Sequence, residues 1–242
     1  MKAQIEACCR RLRLSKKMAE IYDQIEAETR GEFLLQLLQH EIKHREVTRV
    51  NRLIKQAGFH SIKTFENYHF DEINMPVGLT PEDLKEATFI SEKRNLILYG
   101  NVGTGKTHLA TAIGIEACNQ GKTVRYFRTA ALVNQLSEAK KEGELNRFLK
   151  QLFKADLIIC DEWGYIPLDR DGSQLLFQVI SDCYEQRSII LTTNLEFSKW
   201  ITIFYDEQMT AAMIDRLVHH SYLLVFEGQS YRIKHSLMNY VK

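Results

Sequence analysis

A chain of 242 residues with 45% hydrophobic and 26% charged residues is expected to form one full domain and a small appendage, since domains run to roughly 100–200 residues each. Its 12 glycines and 3 prolines are too few for a collagenous, linker-like or largely disordered chain. Its 32 basic and 31 acidic residues leave a net charge of +1, which taken whole gives no sign of a nucleic-acid or anionic-membrane partner.

The charge is uneven along the chain. Residues 1–64 hold 13 Lys and Arg against 8 Asp and Glu, a net of +5, and residues 65–242 carry a net of −4. The opening MKAQIEACCRRLRLSKK lacks the apolar stretch of a secretory signal. Leu14, Met18, Ile21, Tyr22 and Ile25 recur at helical spacing and predict an amphipathic helix. Thr29, Arg30 and Gly31 interrupt it. Leu34, Leu35, Leu38 and Ile42 begin a second stripe, which Val50, Leu53, Ile54 and Ala57 carry to a helix stop at Gly58. Residues 1–64 are therefore expected to be a small unit of two or three helices.

Two basic clusters lie in this unit. Arg10, Arg11, Arg13, Lys16 and Lys17 put five cations within eight residues, and Arg45, Arg49 and Arg52 share one helix face with Lys55 close by. Such stripes neutralise phosphates without reading base sequence, so duplex DNA is the expected partner. His40-Glu41-Ile42-Lys43-His44 also spells H-E-x-x-H, the helical pair of imidazoles used by zinc proteases. No third ligand is indicated and the stripe beside it is expected to pack, so it is read as coincidence. Loss of stoichiometric zinc in His40→Ala would reverse that reading.

Residues 65–94 hold Pro76, Gly78, Pro81 and an aromatic cluster of Phe65, Tyr68 and Phe70. They are expected to be a linker leading into a helix near 81–91. From residue 95 the pattern changes. Apolar runs at Leu96–Tyr99, Val124–Phe127, Leu157–Cys160 and Ile189–Leu191 alternate with helical patterns at about 106–119, 129–152 and 173–186. This predicts βαβ units and a parallel α/β sheet over 95–242. No run of about 18 apolar residues occurs, so no segment is expected to span a membrane. The five cysteines, Cys8, Cys9, Cys118, Cys160 and Cys183, form no C-x-x-C pair and fit a reducing cytosol.

Gly100, Asn101, Val102, Gly103, Thr104, Gly105, Lys106 and Thr107 fit G-x-x-x-x-G-K-[ST] between a strand and a helix. Glycines let successive backbone N–H groups turn towards phosphate oxygens, and the following helix adds its positive end. Lys106 is expected at the β- and γ-phosphates of ATP and Thr107 at Mg²⁺, with His108 completing the nucleotide-binding stretch. Leu157-Ile158-Ile159-Cys160 is an apolar strand from which Asp161 and Glu162 emerge. Asp161 suits Mg²⁺ and Glu162 suits polarising a water for phosphoryl transfer. Asn194 ends the next apolar strand, where it can orient that water. Arg216 and Arg232 are cations able to neutralise charge on a γ-phosphate, though spacing alone does not single them out.

Taken together, GNVGTGKT, LIICDE, ILTTN, DRL and SYR resemble the AAA+ ATPases. Within them the chain is similar to the branch of DnaC-type helicase loaders and IstB-type helpers of bacterial insertion sequences. The resemblance implies that Arg216 is a trans-acting arginine finger, Asn194 the first sensor and Arg232 the second. Only 48 residues follow Asn194, which implies the truncated helical lid of that branch. Residues 129–152 match the position of its extra helical element, whose Lys140, Lys141, Arg147 and Lys150 face either DNA or solvent. RLRLSKKMAEIYDQI and HEIKHREVTRVNRLIKQAGF look like the IstB N-terminus, which implies DNA binding, a transposase partner, ATP-dependent homo-oligomers and a bacterial cytoplasmic setting. A helicase loader is the alternative. A P-loop small-molecule kinase is disfavoured by the Asp-Glu pair, and a non-hydrolysing scaffold is separated by a turnover assay.

Overall fold

In the computed structural model the described residues are 1–236; positions 237–242, the end of the expected ATPase domain, lie outside them. Two compact units are present, Met1–Arg52 and the chain from Leu53 onwards. The division falls inside a helix, twelve residues before the boundary at 64 read from the sequence.

The first unit contains α1 (Lys2–Arg11), α2 (Met18–Ile21) and most of α3 (Arg30–Ala57). The amphipathic helix expected over 14–25 is reduced to the single turn α2, and a helix not foreseen occupies the opening. Arg13 has a positive φ of 56°, which ends the first helix before the stripe begins. Met18 and Ala19 are buried and Ile21, Tyr22 and Ile25 partly so. Thr29 Oγ1 accepts from Glu32 N at 3.1 Å and caps α3. The stripe of α3 is not packed along its length, contrary to expectation. Leu34, Leu35, Leu38 and Ile42 are exposed, while Leu53, Ile54 and Ala57 join a core cluster of the second unit. Gly58, φ 81°, follows the helix end.

The second unit is a six-stranded sheet with order β1-β6-β2-β5-β4-β3. Its strands are β1 (Ile73–Asn74), β2 (Asn95–Gly100), β3 (Val124–Arg128), β4 (Leu157–Trp163), β5 (Ser188–Thr193) and β6 (Ser221–Phe226). All neighbours are parallel except β1, which runs antiparallel to β6. β1 and β6 are the two strands not read from the sequence. The helices are α4 (Pro81–Glu86), α5 (Lys106–Asn119), α6 (Thr129–Lys141), α7 (Leu145–Leu152), α8 (Arg170–Cys183), α9 (Ile201–Phe204), α10 (Glu207–His219) and α11 (Tyr231–Lys234). The helical pattern at 129–152 is thus two helices, broken at Gly143 with φ 75°.

The sheet separates two apolar clusters, and strand alternation assigns the side chains. Leu96, Leu98, Leu157, Ile159 and Ile190 face α5, whereas Ile97, Ile158, Cys160, Ile189 and Leu191 face α6, α8 and α10. β2, β4 and β5 are covered on both faces and read as continuous apolar runs, whereas β3, at the sheet edge, alternates buried and partly exposed residues. Thr80 caps α4 reciprocally with Asp83 and is followed by Pro81. Asp169 and Asp206 cap α8 and α10. Within the described residues no helix is long and apolar enough to cross a membrane.

Candidate active site

The phosphate loop leaves the C-terminal end of β2 and runs into α5, the end of an open parallel sheet where ligands sit. Gly105 precedes α5 with φ 99°, and a Cβ at Gly103, φ 81°, would strike Ser230 Oγ. Both positions therefore demand glycine. The first turn of α5, Lys106 to His108, leaves backbone N–H groups without intrahelical acceptors and aimed at the loop. Lys106 is buried, and its Nζ donates to Gly100 O at 2.7 Å and Asn101 O at 2.6 Å. Burial pushes its ammonium down to about 8; Asp161 opposes that shift and Arg232 adds to it. His108 is different: its Nε2 lies 2.8 Å from Thr64 O and its ring packs on Tyr68. The imidazole is engaged with the segment before the sheet, so only the backbone of His108 is available to a phosphate.

Asp161 sits at the end of β4, 2% exposed, under three hydroxyls. Thr107 Oγ1 donates to its Oδ1 at 2.9 Å, Thr192 Oγ1 to Oδ1 at 2.5 Å and Tyr126 OH to Oδ2 at 2.5 Å. Burial, then the carboxylate of Asp161, push the Tyr126 phenol up, so it stays a donor. Thr107 and Asp161 offer adjacent hard oxygens, the donor type that Mg²⁺ takes. With the glycine cradle and Lys106, this set fits a nucleotide with its magnesium ion.

Glu162 follows with φ 58°, at the irregularity in β4 between Cys160 and Trp163. A left-handed glutamate costs on the order of 1 kcal/mol or more and persists only where its surroundings enforce it. The enforcement is visible: Asp161 and Trp163 are both buried, and Glu162 N donates to Thr192 Oγ1 at 3.0 Å. The kink leaves the Glu162 side chain partly exposed, paired with Arg128 Nε at 3.4 Å. Asn194 is exposed, one residue beyond Thr193, which pairs with Trp163 across β4 and β5.

The two arginines fall at different places. Tyr231 N donates to Gly103 O at 2.9 Å, so α11 rests on the phosphate loop and brings Arg232 near Lys106. Arg216 lies on α10, donates to Ala212 O at 3.0 Å and covers the Phe177 ring at 5.2 Å. α10 ends at the start of β6, whose first residue pairs with the first residue of β2. Arg216 is therefore near the N-terminal ends of the strands and the phosphate loop at their C-terminal ends, about 20 Å apart for six residues of strand. The two do not meet within one chain.

The basic residues of α1 to α3 are mostly open to solvent: Arg10, Arg11, Arg13, Lys16, Lys17, Arg49, Arg52 and Lys55 are exposed. Arg45 has a structural task. It pairs with buried Glu41 at 2.7 Å and donates to Arg13 O at 2.5 Å. Glu41 also accepts from Ser15 N at 3.0 Å and Ser15 Oγ at 2.5 Å. The glutamate of H-E-x-x-H is thus a buried fastener of the helical unit. In the second unit Lys140 pairs with Asp171 and Arg147 with Glu144, while Lys141 and Lys150 are exposed with no such pair among the described residues. Sequence reasoning missed Tyr126, Thr192 and Arg128. The alternation of Val124, Tyr126 and Arg128 along β3 is the signal that one strand face leads to Asp161.

The sequence matches the family model described as IstB-like ATP binding protein over residues 10–239. A protein of Geobacillus stearothermophilus that carries the name ATP-binding protein of insertion sequence IS5376 is 37% identical over 240 residues, 97% of this chain and 95% of its own. The corresponding insertion sequence IS21 protein of Pseudomonas aeruginosa is 38% identical over 206 residues, 84% of this chain and 77% of its own. Among solved structures, AMPPCP-bound DnaA of Aquifex aeolicus superimposes with TM-score 0.56 and 26% identity over 71% of this chain and 52% of its own. DnaI does so with TM-score 0.55 and 17% identity over 75% of this chain and 93% of its own, a likeness of fold. An AAA+ sheet, a phosphate loop closed over Lys106 and a match that runs from residue 10 to residue 239 lead to one conclusion: the chain belongs to the IstB-like ATP-binding protein family.

Proposed function

We propose that this protein is an ATP-hydrolysing, DNA-binding helper in the movement of an insertion sequence, acting as a homo-oligomer with a transposase. The observation that carries the enzymatic part is the left-handed Glu162 beside Asp161 and Thr107, at the strand ends that flank the phosphate loop. The backbone of 100–108 and Lys106 hold the phosphates. Thr107 and Asp161 would hold Mg²⁺, which when bound would supply charge neutralisation to the transferred phosphoryl group. Glu162 takes a proton from the attacking water and Asn194 orients it. Arg232 approaches the phosphates from α11 of the same chain, and Arg216 from a neighbouring chain. Glu162→Gln is expected to bind ATP normally and to hydrolyse it ~10²–10⁴-fold more slowly. Equal turnover in the two proteins would remove Glu162 from the reaction.

DNA binding belongs to the basic helical unit, Met1–Arg52, and the ATP chemistry to the unit from Leu53 onwards. The relatives that match 84–97% of the chain are named for insertion sequences, which favours this reading over the helicase loader with the same ATP chemistry. Replacing Arg10, Arg11 and Arg13 by glutamine is expected to flatten the log K against log salt slope for duplex DNA by roughly 2–3. An unchanged slope, with retained ATPase activity, would point to the loader.

A further inference from the structure

At the end of the sheet remote from the phosphate loop, three metal-ligating side chains converge. Glu185 lies in the turn between α8 and β5, and His219 and His220 end α10. One ligand atom of each lies within 4.8 Å of the others. We propose that Glu185, His219 and His220 bind one divalent transition-metal ion of the zinc class, through a ring nitrogen of each histidine and a Glu185 carboxylate oxygen.

Four features point to this ligand. His220 Nε2 already faces Glu185 Oε1 at 2.9 Å, so a cation can replace the proton they share. Tyr184 OH lies 2.7 Å from His219 Nδ1. When it accepts from Nδ1–H, the ring is oriented and its lone pair falls on Nε2, as outer partners do for metal-bound imidazoles. Glu185 has φ 56°, a sparsely populated conformation held here where its side chain meets the two rings. The site also lies at the C-terminal end of the thirteen-residue α10, where unpaired carbonyls favour a cation. Two imidazoles and one carboxylate suit zinc, cobalt or nickel and leave a coordination position open. Mg²⁺ prefers an all-oxygen set, so this site is chemically distinct from Thr107 and Asp161. Its consequence is mechanical. The ion joins the α8–β5 turn to the helix that carries Arg216, one turn before His219, and so stiffens the platform of that arginine.

The test is titration of the full-length protein with Co²⁺ and Zn²⁺, read by cobalt absorption, metal content and Tm. Wild type is expected to bind one equivalent at the site and to gain thermal stability. His219→Ala/His220→Ala abolishes this site with circular dichroism unchanged, Glu185→Gln weakens it at least tenfold, and Tyr184→Phe about tenfold. His40→Ala/His44→Ala leaves it intact. Should the double histidine variant not fold, the exposed Glu185→Gln carries the test. No stoichiometric binding by wild type, equal affinity in Glu185→Gln, or loss confined to His40→Ala/His44→Ala would overturn the proposal.

Discussion

Lys106 shows how one residue stores the state of the loop. Its ammonium is satisfied by Gly100 O and Asn101 O, contacts that phosphate oxygens would replace. Burial lowers it from 10.5 to about 8, so the unfolded chain binds more protons than the folded one between those values. Lys106 therefore opposes folding below pH 8, and the penalty fades as pH rises through that window. Phosphates restore the charged form. Nucleotide binding at pH 8 is expected to take up roughly half a proton, falling towards zero at about pH 6.5. Calorimetry in buffers of different ionisation heat measures this, and identical heats at pH 8 would show that Lys106 is already fully charged. Glu162 makes the complementary point. Its identity is plain from Asp161-Glu162 at a strand end, but its left-handed backbone and the Arg128 partner depend on Thr192 and on the irregular pairing of β4 with β5.

At the scale of elements, α3 is where sequence pattern and packing part. Its period is helical from Arg30 to Ala57, yet its C-terminal turns reach a core while Leu34, Leu35, Leu38 and Ile42 are exposed. The first unit is secured instead by polar contacts to Glu41. Burial alone would raise that carboxyl; the Ser15 hydroxyl and amide and Arg45 outweigh it and hold it below its ordinary value. A depressed carboxyl contributes stability that is present above its unfolded pKa and lost as pH falls through the folded one. Glu41→Ala is expected to lose about 2 kcal/mol, the scale of charged hydrogen bonds, from the helical unit alone. Hydrogen exchange at α1 and α2, followed from pH 7 to below pH 4, reads both effects, and protection equal to wild type would remove Glu41 as the fastener.

At the scale of the molecule, the strand sheet sets Arg216 and the phosphate loop at opposite ends. If an arginine about 20 Å from the loop of its own chain is to act on phosphate, it must do so in a neighbour, as proposed above, and a head-to-tail contact of that kind would generate rings or filaments. Mixing Glu162→Gln with Arg216→Ala, each inactive alone, is expected to restore roughly a quarter of wild-type ATPase activity under random heterologous pairing. No recovery, in a mixture shown to co-assemble, would exclude the shared site.

The chain's own order of residues determined the phosphate loop, the Asp161-Glu162 strand end, strands β2 to β5 and the split of a net charge of +1 into +5 and −4. These are local properties: glycine spacing, apolar runs and charge density read directly from neighbours in sequence. Tertiary structure decided the rest. The hydroxyl cluster on Asp161 joins residues 107, 126 and 192, and β6 enters beside β2. Each is a pairing across 31 to 126 residues, and only the parallel register and the helix ends, fixed by burial in the sheet, bring such groups together.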